Sequence, residues 1–89
     1  MPKPKQFTVG DYTVTVDASD WRRVRPLVPR IRAVPIAANA PVFVINHGTA
    51  QRPAWQSLAS FILNAPGAYC VLRDRTDPGD HRKANLRRA

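Results

Sequence analysis

The sequence predicts an α+β fold, an N-terminal β-hairpin joined to a βαβ unit, and three observations point to it. Apolar residues alternate with threonines on either side of Gly10-Asp11, an unbroken apolar run covers residues 42–45, and the helically spaced set Trp55, Leu58, Ala59 and Ile62 follows. A second apolar run over residues 68–72 completes a strand–helix–strand pattern, whose crossover is nearly always right-handed. The hairpin would extend that parallel pair into a mixed sheet of four or five strands, with one main helix packed on a face.

The hairpin covers residues 7–16. Placing Gly10-Asp11 as a two-residue loop of the Gly-X kind pairs Val9 with Tyr12 and Phe7 with Val14. That register puts Phe7, Val9, Tyr12, Val14 and Val16 on one face and Thr8, Thr13 and Thr15 on the other. Asp17 or Ser19 is then placed to cap a single helical turn from Trp21 to Val24. Pro26 ends that turn, because it disfavours helical geometry at Arg25. Residues 25–39 read as extended or irregular, anchored by Ile31, Val34 and Ile36, with a short strand near residues 31–34.

Residues 42–45, bounded by Pro41 and by Asn46-His47-Gly48, have the pattern of a strand buried on both faces. Pro53 suits the first turn of the following helix, Phe61 widens its apolar stripe, and residues 64–67 stop it. The domain division that results is a short basic N-terminal arm (1–6), a single α+β domain (7–75) and a basic tail (76–89). Leu86 is the one large apolar residue in that tail, which is therefore expected to be mobile.

Eighty-nine residues suffice for one domain. A chain this short buries about 60% of the surface its unfolded form exposes, so its core is thin and a homodimer is an alternative way to cover apolar surface. The single cysteine, Cys70, excludes an intramolecular disulfide framework and a multi-Cys zinc site, and it fits a reducing, cytoplasmic setting. No apolar stretch is long enough for a secretory signal or a membrane span.

Charge narrows the partner. Fourteen Lys and Arg stand against six Asp, with no Glu, for a net charge of +8. The cations gather at the two ends, with Arg52 alone between them. Such a distribution favours a polyanion. Trp21-Arg22-Arg23-Val24-Arg25 combines an aromatic plane with guanidinium groups, which grip phosphates through paired hydrogen bonds while bases stack on the ring. With Arg30, Arg32, Arg82, Lys83, Arg87 and Arg88, these residues (Val24 aside) form the candidate nucleic-acid contacts.

A second candidate is the loop His47, Gly48, Thr49 and Arg52. As a strand-to-helix junction it would offer unpaired amides and the positive end of a helix dipole to an anion. It lacks the glycine spacing and the Gly-Lys-Ser/Thr ending of a P-loop, and a plain turn uses the same residue types. No catalytic set emerges. Cys70 sits between apolar neighbours without a nearby cation to activate it, so pairing it with His47 is unsupported. Asp74, Asp77 and Asp80 lack the acidic ligand that closes a calcium loop. His47 and His81 offer no local chelate, so no metal or cofactor is expected. The Arg23-to-Pro29 stretch fits a basic-x-x-Pro-x-x-Pro pattern too loose to carry weight.

The sequence therefore points to a small non-enzymatic domain that binds DNA or RNA, mainly through phosphates and with weak sequence selectivity. The alternative is a protein-interaction or assembly module, such as a small subunit of a larger complex or a virus particle, docking on an acidic protein surface.

Overall fold

The computed structural model describes residues 3–37 and 40–89. Lys5–Val9 (β1) and Tyr12–Val16 (β2) form the expected antiparallel hairpin, with Phe7 opposite Val14 and Val9 opposite Tyr12. Gly10 has φ 59°, which a Gly-first two-residue turn requires and which a side chain would strain. Val9, Val14 and Val16 are buried, Phe7 is half-buried and Tyr12 lies at the edge of the core.

Ala18–Val24 (α1) follows, longer than the single turn expected. Asp17 occupies the N-cap, but its carboxylate does not cap the helix. It accepts instead from the Lys83 amide at 2.8 Å, tying the helix start to the C-terminal segment. Pro26 ends the α-helix as expected, yet Arg25–Arg30 continues as a 3₁₀ helix rather than an extended chain. With Pro26 at its start, the missing proline N–H falls where no intrahelical partner is needed.

Ile31–Ala37 (β3) and Ala40–Asn46 (β4) pair antiparallel, with Ile31 opposite Ile45 and Val34 opposite Val42. Ile31, Phe43 and Ile45 point into the core, whereas Val34 and Val42 are exposed, so β4 buries one face and not both. Val34 is thus no anchor, and the side chain of Ile36 lies outside the described residues.

The expected βαβ unit is replaced by antiparallel pairing. After β4 the chain turns back and Trp55–Ser57 (β5) pairs antiparallel with it, giving a three-stranded sheet in the order β3-β4-β5. The helix is only Leu58–Ile62 (α2), capped by Ser57, whose Oγ accepts from the Ser60 amide at 3.1 Å. Leu58, Ala59 and Ile62 pack in the core, but Trp55 belongs to the strand. Asn64, at φ 53°, stops the helix.

Cys70–Leu72 (β6) does not return beside β4. It pairs antiparallel with Leu86–Arg88 (β7), inside the segment expected as a mobile tail. That segment is packed into the body. Leu86 is 3% exposed, and the Asn85 side chain donates to the carbonyls of Asp74 and Asp80 while accepting from the Asp74 amide. The Thr15 amide donates to the carbonyl of Gly79 and its carbonyl accepts from the amide of His81, each at 2.8 Å, in a parallel bridge to the hairpin. A Cβ on Gly79 would overlap the Thr13 carbonyl, so only glycine allows this approach.

His81 is buried beneath this bridge, 4% exposed, edge-on to Phe43 at 5.5 Å. Desolvation holds its imidazole below the ordinary value of 6.5, outweighing the opposite pull of the Gly79 backbone and of Asp80 and Asp77. The unfolded chain therefore binds the proton that the folded chain resists. Stability should be level above pH about 6.5 and fall as the pH drops below it, by at most about 1.4 kcal/mol per pH unit. Thermal unfolding between pH 7.5 and 5 checks this. His81→Phe should flatten the slope over that range, leaving the carboxylate-driven loss near pH 3.8 and below, where Asp74 and Asp80 are held below their usual value by hydrogen bonds from Thr76 and Arg82.

Candidate nucleic-acid interface

The outer face of the β3-β4-β5 sheet is set by strand alternation. Because Phe43 and Ile45 point inward, Val42, Val44 and Asn46 point outward, and so do their cross-strand partners Val34, Arg32, Ser57 and Trp55. Trp55 is 49% exposed on this face, and the Arg32 guanidinium lies 6.0 Å from its ring centroid. That separation is the outer limit for a cation–π contact, so the guanidinium holds the ring loosely. Arg30 donates to the Gly48 carbonyl at 3.4 Å, which places its charge beside the β4–β5 loop that also carries Arg52. One aromatic plane thereby lies beside Arg32, with Arg30 and Arg52 at the adjoining loop.

The 47–54 loop itself is a strand-to-strand turn. Its premise as an anion site was a helix terminus, and the amides that would serve are engaged internally. Asn46 Oδ1 accepts from the amides of Gly48 at 2.9 Å and Ala54 at 3.0 Å, and Thr49 Oγ1 accepts from the Arg52 amide at 3.0 Å. The His47 and Thr49 amides donate to the carbonyls of Ala54 and Arg52. His47 Nε2 lies 2.7 Å from Gln56 Oε1. The loop's role is to fold Trp55 back against β4.

The other sequence candidates separate into free and committed groups. Trp21 is half-buried against Phe7, with ring centroids 5.6 Å apart. Arg23 is an internal tie. It donates to the carbonyls of Phe61 and Ile62 and to Asn64 Oδ1, and pairs with Asp20 at 2.9 Å. Lys83 pairs with the same carboxylate at 3.2 Å. Arg82 grips Asp80 through Nε and Nη2, both at 2.8 Å. Arg22 and Arg25 are exposed near α1, and Arg87 and Arg88 are exposed on β7. The stretch from Trp21 to Arg25 is therefore not one flat binding element. Its aromatic and its central guanidinium serve the fold.

Trp55 is the residue that sequence reasoning assigned wrongly. The turn signal of Asn46-His47-Gly48 followed by Trp55-Gln56-Ser57, with polar Gln56 and Ser57 beside the aromatic, fits an antiparallel return. No helix among the described residues is long and apolar enough to cross a membrane. Comparison with known protein families, curated proteins and solved structures returns no match, and the functional reading stands on this chain's own residues.

Proposed function

We infer that this domain binds nucleic acid, mainly through phosphates and with weak sequence selectivity, across the outer face of its three-stranded sheet. The observation that carries the reading is the exposed Trp55 with Arg32 loosely over it, on a chain of net charge +8. A splayed base has a stacking plane in Trp55, and Arg30, Arg32 and Arg52 supply guanidinium groups around it for the adjoining phosphates. Arg22, Arg25, Arg87 and Arg88 add to the long-range field that draws a polyanion in. A single strand suits this arrangement better than a duplex, because its bases are free to stack.

Anisotropy titration of a labelled oligo(dT) tests it. Trp55→Ala should weaken binding by about 1–3 kcal/mol, or about 5- to 150-fold, with the melting temperature nearly kept because the ring is half-exposed. If about three to five phosphates are contacted, log K should fall with log salt at a slope of about −2 to −3.5, and Arg32→Ala should flatten it by about 0.7. Wild-type affinity in Trp55→Ala would remove the sheet face from the interface. Absence of DNA and RNA binding at about 50 mM salt would reject the nucleic-acid reading and leave the protein-docking alternative, which Val34 and Val42, exposed on the same sheet face as Trp55, would serve.

A further inference from the structure

A groove of about 280 Å³ runs between β4 and β6, lined by residues 41–43 on one side and 69–72 on the other. Side chains of consecutive strand residues point to opposite faces, so an unbroken run of residues can line one groove only through its main-chain edge. Among the described residues, none of β3 or β7 takes part in the lining. The groove is therefore walled by the outer edges of two strands.

Among the described residues, the β6 edge is unpaired on this side. The Ala89 amide donates to the Tyr69 carbonyl at 2.8 Å and the Arg73 amide donates to the Asn85 carbonyl at 2.7 Å. Hydrogen-bonded positions alternate along an antiparallel pair, so Tyr69, Val71 and Arg73 turn their main-chain groups to β7. Cys70 and Leu72 turn theirs the other way, towards the groove, and among the described residues β6 has no second strand neighbour. Opposite, β5 ends at Ser57, level with Val44, and leaves residues 41–43 beyond its cover. Two N–H and two C=O groups on one short edge turned towards the groove make a template for an added strand.

The surroundings choose the occupant. Ala59, Phe43 and Leu72 give the groove an apolar lining, and buried His81, which also lines it, has an Nδ1 atom without a hydrogen-bond partner. Arg75 also lines the groove, and Tyr69 beside it is 76% exposed. A second copy of this chain would bring its own excess of cations against Arg75, whereas an acidic strand would be drawn to it.

We propose that the free edge of β6 docks an extended acidic peptide, which adds as a third strand beside Cys70 and Leu72, with alternate apolar side chains set into the groove. The groove shares Val42 and Ser57 with the outer sheet face, but its β6 wall at Cys70 and Leu72 lies off that face, and the proposal does not depend on the nucleic-acid reading. The probe is acetyl-Asp-Val-Asp-Val-Asp-amide, titrated into the full chain and followed by amide NMR. Saturable shifts are expected at Cys70, Leu72 and residues 42–43, with slowed hydrogen exchange at the Cys70 and Leu72 amides.

Methylating every main-chain nitrogen of the peptide removes its donors while keeping its side chains, and should weaken binding at least about tenfold. Exchanging its Asp for Lys should do the same, and Arg75→Ala should weaken the Asp peptide by about three- to tenfold. Because most of these changes lie on the peptide, the fold of the protein is not at risk. Equal affinity of the methylated peptide, shifts confined to other residues, or no saturable shift up to about 5 mM peptide would overturn the proposal. So would oligo(dT) moving the Cys70 and Leu72 amides where the peptide does not.

Discussion

Deleting residues 77–89 is expected to abolish cooperative unfolding, leaving a chain without a defined melting transition. The segment supplies β7, the buried Leu86, the Gly79 and His81 links to Thr15, and the Asn85 side chain that engages Asp74 and Asp80. It also supplies Lys83, whose amide donates to Asp17 and whose ammonium pairs with Asp20 at the start of α1. A core this thin has no reserve against the loss of a whole strand. Leu86→Ala is the graded version. Removing that buried side chain should cost about 2–5 kcal/mol in denaturant unfolding. A truncated protein that melts within a few degrees of the full chain would show that the fold is complete without its C-terminal strand.

Arg23→Ala should produce the second large effect, a loss of about 2–4 kcal/mol. Asp20 is 1% exposed, and its charge is balanced by Arg23 and Lys83. Its Oδ2 atom has no hydrogen-bond partner, so little else offsets the cost of burying it. The same guanidinium also closes the end of α2, donating to the carbonyls of Phe61 and Ile62 at 3.2 and 3.0 Å and lying 5.3 Å from the Phe61 ring centroid. Lysine cannot span those acceptors with one ammonium, so Arg23→Lys should recover less than half of the loss. Arg22→Ala, one residue away and exposed, should fall within about 0.5 kcal/mol of wild type. Urea unfolding of the three variants checks the set, and equal stability of the two alanine variants would deny Arg23 its internal role.

The contrast between Arg22 and Arg23 shows where sequence reading stops. Both look like solvated cations in a basic cluster, and only the distant carbonyls of α2 distinguish them. The hairpin was legible because two independent signals, the Gly10-Asp11 turn and the threonine alternation, fix one register. Local chemistry likewise placed the end of α1 at Pro26 and the stop at Asn64. The βαβ expectation failed because Trp55, Leu58 and Ile62 keep helical spacing over too few residues to exclude a strand followed by one capped turn. The C-terminal segment was misread because its polar composition hides its burial. Gly79, His81 and Asn85 are held by partners far away in sequence, which composition does not report.

Trp55 joins those two failures to function. As part of a buried helical stripe Trp55 would make no contact with a ligand, whereas Trp21, the aromatic beside the Arg cluster, packs against Phe7. The sheet face follows from pairing β5 with β4, a tertiary event fixed by Asn46 closing the 47–54 loop.

The most direct test is an amide and indole NMR titration with a 12-nucleotide oligo(dT) at about 50 mM salt. The predicted result is saturable shifts at the Trp55 indole and at Arg32, Val34, Val42 and Val44, with the hairpin amides of β1 and β2 unmoved. Saturable shifts that avoid the β3-β4-β5 face, or no shifts at all, would contradict the account.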